Sequence, residues 1–573
     1  MSTQPLSLSL KGEKTWPLVL DALVFSGVVA VVYLMMVVGR YWFGAIVPAA
    51  EISRSPRAIP MYAVYSLVRM GTAYVLSLVF AVAYGYVAAY NKRLQGVMLA
   101  TLDILQSIPV LSFLPGVMLA MVALFPTRQL GVEIGSVVLI FTGQVWNMAF
   151  SFYASLKAIP RELREAAGIY RFGALQRFLQ LELPYGTIGL IWNSMVSVAG
   201  GWFFLMACEM FVLGNRDLRL PGLGSYLQTA ANAGDTRAIL WGVAVMVAVI
   251  VLLDQLIWRP VIAWSEKFKV EQVEASETHR SWVLDLLRRS KVLPRVARRT
   301  VLPAREALTL FFAHKESRVT ARRPVARVIG WAVAGAALIG LVYALVEMTA
   351  LLSTTSWAEL RGILLGAGAT FLRVELTLML AGLWTIPVGV YIGLRPRLSA
   401  IAQPIAQVAA SVPATALFPI VLLLLIRAGG GLGIGSIVLL LLGTQWYLLF
   451  NVIAGASAIP TDLKEVCDVF HLGRVERWRR LLLPGIFPYL VTGFVTASGG
   501  AWNASIVAEY FRFQGHTYSI TGLGATISHA TDSGNFRVLL AATVVMAAMV
   551  VTVNRLVWRR LYGLASTKFK LES

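Results

Sequence analysis

Long apolar runs alternate along the chain with short polar or basic breaks, and their lengths set the elements. Runs long enough to cross a membrane occur near 17–39, 62–90, 97–125, 133–155, 185–213 and 238–258, and again near 326–348, 358–394, 399–426, 432–455, 485–511 and 538–558. About 20 apolar residues in a helix cover a hydrocarbon core of roughly 30 Å. The pattern therefore predicts an all-α polytopic membrane protein with twelve transmembrane helices, six in each half. The first run, Trp16 to Val38, contains Asp21 and lacks a clear small-residue cleavage site. It is also longer than the core of a secretory signal, so it reads as a membrane helix.

The two sets of six form an internal repeat. Gly131, Gly135, Ser136, Gly143 and Trp146 recur 300 positions later as Gly431, Gly435, Ser436, Gly443 and Trp446. Glu209, Phe211, Gly222-Leu223-Gly224, Gly234, Arg237 and Trp258-Arg259 reappear at the same offset. Upstream the offset is 304, relating Arg69 to Arg373, Arg93 to Arg397, and Pro109 and Pro115 to Pro413 and Pro419. An even number of spans per copy sets both copies the same way up, as parallel repeats with a pathway between them. The expected organisation is a first repeat over 1–260, a linker over 261–325 and a second repeat over 326–573.

Composition sharpens the class more than it changes it. The chain is 58% hydrophobic and only 14% charged, where a soluble domain is about a quarter charged. Two cysteines, Cys208 and Cys467, provide no disulfide framework. The net charge of +21 is unevenly spread: segments that are cytoplasmic if the N-terminus is inside hold 36 of the 50 lysines and arginines. Basic residues concentrate in cytoplasmic loops, so both termini are expected in the cytoplasm of a cell (inner) membrane protein. The charge then marks topology and attraction to anionic membrane lipid rather than nucleic acid. The linker shares this character, with 14 basic against 7 acidic residues between 265 and 325. It reads as a solvated tether with amphipathic stretches at Trp282–Leu287 and Ala304–Phe312.

The most informative segments are two polar loops, AIPRELREAAGIYRFGALQRFLQLELP at 158–184 and AIPTDLKEVCDVFHLGRVERWRRLLLP at 458–484. Pro160 and Pro460 suit the first turn of a helix, and Glu162 and Asp462 place negative charge at its positive end. Leu163, Ala166, Ala167 and Tyr170 share one helical face. Gly173 and Gly473 are expected to break that helix before a second amphipathic piece returns to the membrane. Such a unit suits docking on a protein partner or lying on lipid.

These loops resemble the EAA loop of binding-protein-dependent ABC importer permeases, and the resemblance covers both halves. SIPVLSFLP (107–115) and SVPATALFP (411–419) are similar to the nitrate, sulfonate and bicarbonate branch, in which duplicated permeases occur. The resemblance implies two parallel type I permease repeats and docking of two ATPase subunits. The docking residues would be Glu162, Glu165, Ala166, Ala167 and Gly173 with Asp462, Glu465, Val466, Cys467 and Gly473. It also implies an extracytoplasmic solute-binding protein and a small inorganic or organic anion as substrate. Val466-Cys467 stands where Ala-Ala is expected, so the two docking surfaces are unequal. The chain has no G-x-x-x-x-G-K-[ST] phosphate loop and no cluster with metal-ligand spacing. ATP and magnesium are accordingly expected in the partner subunits, with no cofactor and no catalytic residue here. The different-class rival is a secondary transporter with two parallel six-helix halves.

Charges within membrane spans usually pair or line a cavity. Arg69 and Arg373 lie in the second span of each half, and Glu209 and Glu509 late in the fifth. They read either as an Arg–Glu pair within each half or as arginines facing a pathway. Gly200-Gly201-Trp202 and Gly499-Gly500-Ala501-Trp502 either break a helix at a cavity or allow close packing. Gln144, Asn147 and Asn193, with Gln445, Asn451 and Asn503, either line the passage or merely join helices.

Overall fold

A computed structural model describes residues 33–44, 51–213, 216–268, 281–289, 345–427, 431–513 and 516–568, with isolated positions between them. Eight helices among these are long and apolar enough to cross a membrane: Pro56–Tyr90, Leu130–Ala158, Ala174–Glu209 and Thr236–Ser265, then Trp357–Gly393, Leu432–Ser457, Arg474–Ala508 and Phe536–Ala565. The expected spans at 17–39 and 326–348, and most of the linker, lie largely outside the described residues. Within the linker, the stretch at Trp282 is a helix, Trp282–Arg289.

Helix starts follow local chemistry. Ser356 caps the helix Trp357–Gly393 in a reciprocal box with Glu359, satisfying donors that lack an intrahelical partner. Asp235 and Asn535 cap the last long helix of each half through Ala238 N and Val538 N. Pro184 and Pro484 lie inside the continuous helices Ala174–Glu209 and Arg474–Ala508, just after a π-turn in each.

In the first half, the helix Ile59–Tyr90 packs on Leu130–Ala158, which packs on Leu183–Glu209; Trp357–Gly393, Leu432–Ser457 and Leu483–Ala508 repeat that order. Large apolar side chains such as Val79, Leu372, Met379 and Leu383 point outward, as lipid-facing positions do. After the helices Ala174–Glu209 and Arg474–Ala508 each half carries a short antiparallel hairpin, Val212–Leu213 with Arg216–Asp217 and Tyr510–Phe513 with His516–Ser519. The hairpins mark one end of the bundle and the 158–184 and 458–484 loops the other. Four single-turn π-helices also recur in register, Phe178–Glu182 with Trp478–Leu482 and Asp254–Trp258 with Asn554–Trp558.

The expected single spans at 97–125 and 399–426 are broken instead. Gln95–Gln106 and Val110–Leu124 meet at 83°, and Pro396–Ser411 is followed at Val412-Pro413 by Ala414–Arg427. A proline holds the preceding residue extended and ends the helix there. In each half the break falls at Pro109 or Pro413, in the segments noted above for their family likeness. The broken helices interlock the halves. The segments Pro396–Ser411 and Ala414–Arg427 pack on Thr236–Leu253 of the first half, and Gln95–Ser107 packs on Phe536–Val553 of the second.

Candidate functional site: a cavity between the halves and two exposed loops

A cavity of about 720 Å³ lies between the halves. Each half contributes its helix break, through Gln106 and Val110 on one side and Gln407, Ala410, Val412, Pro413 and Ala414 on the other. Aromatic walls come from Trp146, Phe203 and Phe204 facing Trp446, Tyr447 and Phe450. Backbone exposed at such breaks is tolerated inside a membrane only where protein or cavity water satisfies it. Here Val110 N donates to Asn503 Oδ1 of the other half at 2.7 Å, and Thr543 Oγ1 donates to Ser112 O at 3.1 Å. The loop end of the last span adds Asn554, Arg555, Trp558 and Arg559. Two cations and no carboxylate are thus found among the described lining residues. Toward the hairpin end, one continuous apolar core drawn from both halves fills the interior, including Phe211, Leu220, Phe418 and Phe511.

Of the polar pathway candidates from the sequence, Asn147 and Asn503 line this cavity, while Asn451 donates to Tyr447 O one turn earlier and the others lie elsewhere. Trp202 and Trp502 are fully buried in the core. Gln144 is buried, with Nε2 3.0 Å from Met70 Sδ, Gln445 is buried, and Asn193 donates to Gly189 O one turn earlier. The glycine pairs do not break their helices, since Leu183–Glu209 and Leu483–Ala508 run through them. Gly200, Gly499 and Gly500 face the cavity, whereas a Cβ on Gly201 would stand 2.4 Å from Gln144 Nε2.

Arg69 and Arg373 form the in-half pairs. Arg69 donates to Glu209 at 2.9 Å and forks onto both oxygens of Glu133, all three side chains fully buried. Glu209 also accepts from Ser66 Oγ and from Gly224 N, so it caps the helix Leu223–Asn232 at its positive end. In the second half Glu509 does the same, accepting from Thr370, Arg373 and Gly524 N. A Cβ on Gly222 or Gly522 would fall within 2.3 Å of these carboxyl groups; close approach, not backbone conformation, demands glycine there. Sequence reasoning missed Glu133, although a carboxylate inside an apolar run is the signal that marks such a group. Its counterpart is Gly433, so the second network has one carboxylate fewer.

Beyond the membrane spans, the first hairpin ends on a local fork. Burial pushes the Asp217 carboxyl up, but hydrogen bonds from Arg219 to both oxygens hold it below the ordinary range.

The two loops fold alike. Helices Arg161–Ile169 and Thr461–Val469 end in a turn at Arg171 and His471, each with φ of 51°. Gly173 and Gly473 do not end these helices; they stand at the N-cap of the next one in extended conformation. Glu162, Glu165, Asp462 and Glu465 are exposed, Ala166 is half-buried and Val466 exposed, while Ala167 and Cys467 turn into their own half. Tyr170 does not join the buried face with Leu163 and Ala167. Ile169, Tyr170, Val469 and Phe470 all stand free, at 72–80% exposure, which leaves an apolar tip on each loop.

Residues 80–257 and 385–565 each match the family described as binding-protein-dependent transport system inner membrane component. The nitrate import permease protein NrtB of Leptolyngbya laminosa is 27% identical over 197 residues, 34% of this chain and 67% of that protein. The bicarbonate transport system permease protein CmpB of Synechococcus elongatus is 26% identical over 189 residues, covering 33% and 65%. The taurine transport system permease protein TauC of Escherichia coli is 26% identical over 182 residues, covering 31% and 62%. The chain thus spans about two-thirds of the length of these relatives, and each relative aligns with about a third of this chain.

Proposed function

The chain belongs to the family of binding-protein-dependent transport system inner membrane components, and from that premise we propose that it is the permease of an ATP-driven importer for a small anion. The cavity shared by the two halves carries this reading, because it is built from the same elements of both repeats. Twelve spans in two parallel sets of six, with both termini in the cytoplasm, place the loop end inside the cell. The cavity then extends toward the cytoplasm beneath a packed outer core, the arrangement expected after substrate has been released.

ATP hydrolysis belongs to two separate subunits seated on loops 158–184 and 458–484. A contiguous apolar patch on a polar loop marks an interaction site, and the tips Ile169-Tyr170 and Val469-Phe470 supply one each. Around them Glu162, Glu165, Asp462 and Glu465 offer carboxylates to a basic partner groove, with Ala166, Ala167, Val466 and Cys467 setting the helix packing. An extracytoplasmic binding protein delivers the solute at the hairpin end. The anion assignment is supported by the cavity's two arginines and absent carboxylates, and by relatives named for nitrate, bicarbonate and taurine. A secondary transporter is not favoured, since the family match covers both halves.

Purification in mild detergent is expected to co-isolate an ATPase, and anion uptake into vesicles is expected to require ATP. Uptake by the isolated chain driven by an ion gradient alone overturns the assignment.

A further inference from the structure

The pseudo-symmetric halves differ sharply in charge where the last span reaches the loop end. In the first half, Asp254 accepts from Arg259 Nε at 3.0 Å and from Gln255 Nε2 at 3.1 Å. The second half has Asn554, Arg555 and Arg559 at these three places. One carboxylate is lost and one guanidinium gained, so the local charge goes from zero to plus two. Arg555 and Arg559 are both exposed and both line the cavity, and neither has an ion-pair or hydrogen-bond partner among the described residues. Arg259, held by Asp254, is not among the lining residues.

We propose that the second half alone supplies an oxyanion-binding patch, Arg555 and Arg559, on one wall of the cavity, so that the pathway is electrostatically one-sided. The proposal rests on the anion-importer reading and deepens it. The two arginines are four residues apart, Arg555 within a π-turn, Asn554–Trp558, and Arg559 just after it. Its Trp558 is buried and stacked on Phe494 at 6.2 Å and 12°, which fixes the wall that presents them. Guanidinium groups match the planar, bidentate geometry of an oxyanion and stay charged at any working pH. Low-dielectric walls lined by one sign of charge concentrate the opposite ion by roughly 10- to 1000-fold.

The test uses the full chain in permeabilised membranes with a cysteine reporter in the cavity, Thr496→Cys. Gly499→Cys is a second reporter, since a Cβ there meets open space. Both native cysteines are buried. The probes are a sulfonate and a trimethylammonium methanethiosulfonate, and the readout is the ratio of their reaction rates. Replacing both arginines (R555Q with R559Q) is expected to lower the anion-to-cation ratio by about tenfold or more. Lysine at both positions keeps the ratio, and Arg259→Gln leaves it unchanged. A ratio that does not move in the double glutamine variant at either reporter overturns the patch, even if the transporter imports nitrate or taurine. A ratio that falls while the transporter carries only neutral or cationic solutes sustains the patch and removes the anion-importer reading instead.

Discussion

At the scale of single residues, the Arg69 cluster shows how one position differs between two otherwise repeated networks. Arg69 pairs with two carboxylates at zero exposure, while Arg373 serves one and keeps 13% of its side chain accessible. Removing one partner of a buried pair costs about 3–5 kcal/mol because the other charge is stranded. Arg69→Ala strands two carboxylates and is expected to lower the thermal midpoint in detergent well beyond Arg373→Ala. The comparison of midpoints checks the point, and equal losses would remove the distinction. The members of the Arg–Glu pairs were legible as intramembrane charges, but Glu133 was not recognised, because only the fold brings it 64 positions back to Arg69.

At the scale of elements, the loops separate what a glycine does for its own chain from what it offers a partner. Their turn is made by Arg171 and His471, and a Cβ on Gly473 meets nothing within 4 Å. Gly473→Ala is therefore expected to change the stability of the isolated chain by no more than about 0.5 kcal/mol, read from its thermal unfolding in detergent. Tyr170→Asp, equally harmless to the fold because the ring is exposed, is expected to reduce recovery of the ATPase on purification severalfold. Full recovery with Tyr170→Asp argues against docking at the tip. The copies also differ in how each loop is braced. Arg177 reaches the buried Glu182, whereas Arg477 pairs with Asp468 on the loop helix itself. Leu482 replaces Glu182 and Asp468 replaces Gly168, so the inequality between the loops extends beyond Val466-Cys467.

At the scale of the whole molecule, the halves are knitted together at both levels of the membrane. Asn503 holds the helix break of the other half, and Gln228 of the first half donates to Arg512 O in the hairpin of the second at 3.0 Å. If import requires the halves to rock about the cavity, a short thiol cross-linker between Gln228→Cys and Arg512→Cys is expected to stop ATP-driven uptake. Cleaving the cross-link is expected to restore it. Uptake at the wild-type rate in the cross-linked protein would show that the hairpin end does not need to move.

The sequence by itself determined the class, the repeat and the positions of the loops, and it marked Arg69, Glu209, Arg373 and Glu509 as intramembrane charges that pair or face a pathway; the structure decided for pairing. These depend on local period, apolar length and charge at membrane depth, all written along one strand of text. The helix breaks at Pro109 and Pro413 were visible as prolines but not as cavity walls, since apolar length alone runs through them. Only the tertiary structure decided which polar residues meet the cavity. A helix in a crowded bundle has several buried faces, and hydropathy cannot tell a face against Met70, as for Gln144, from a face toward open space, as for Arg555.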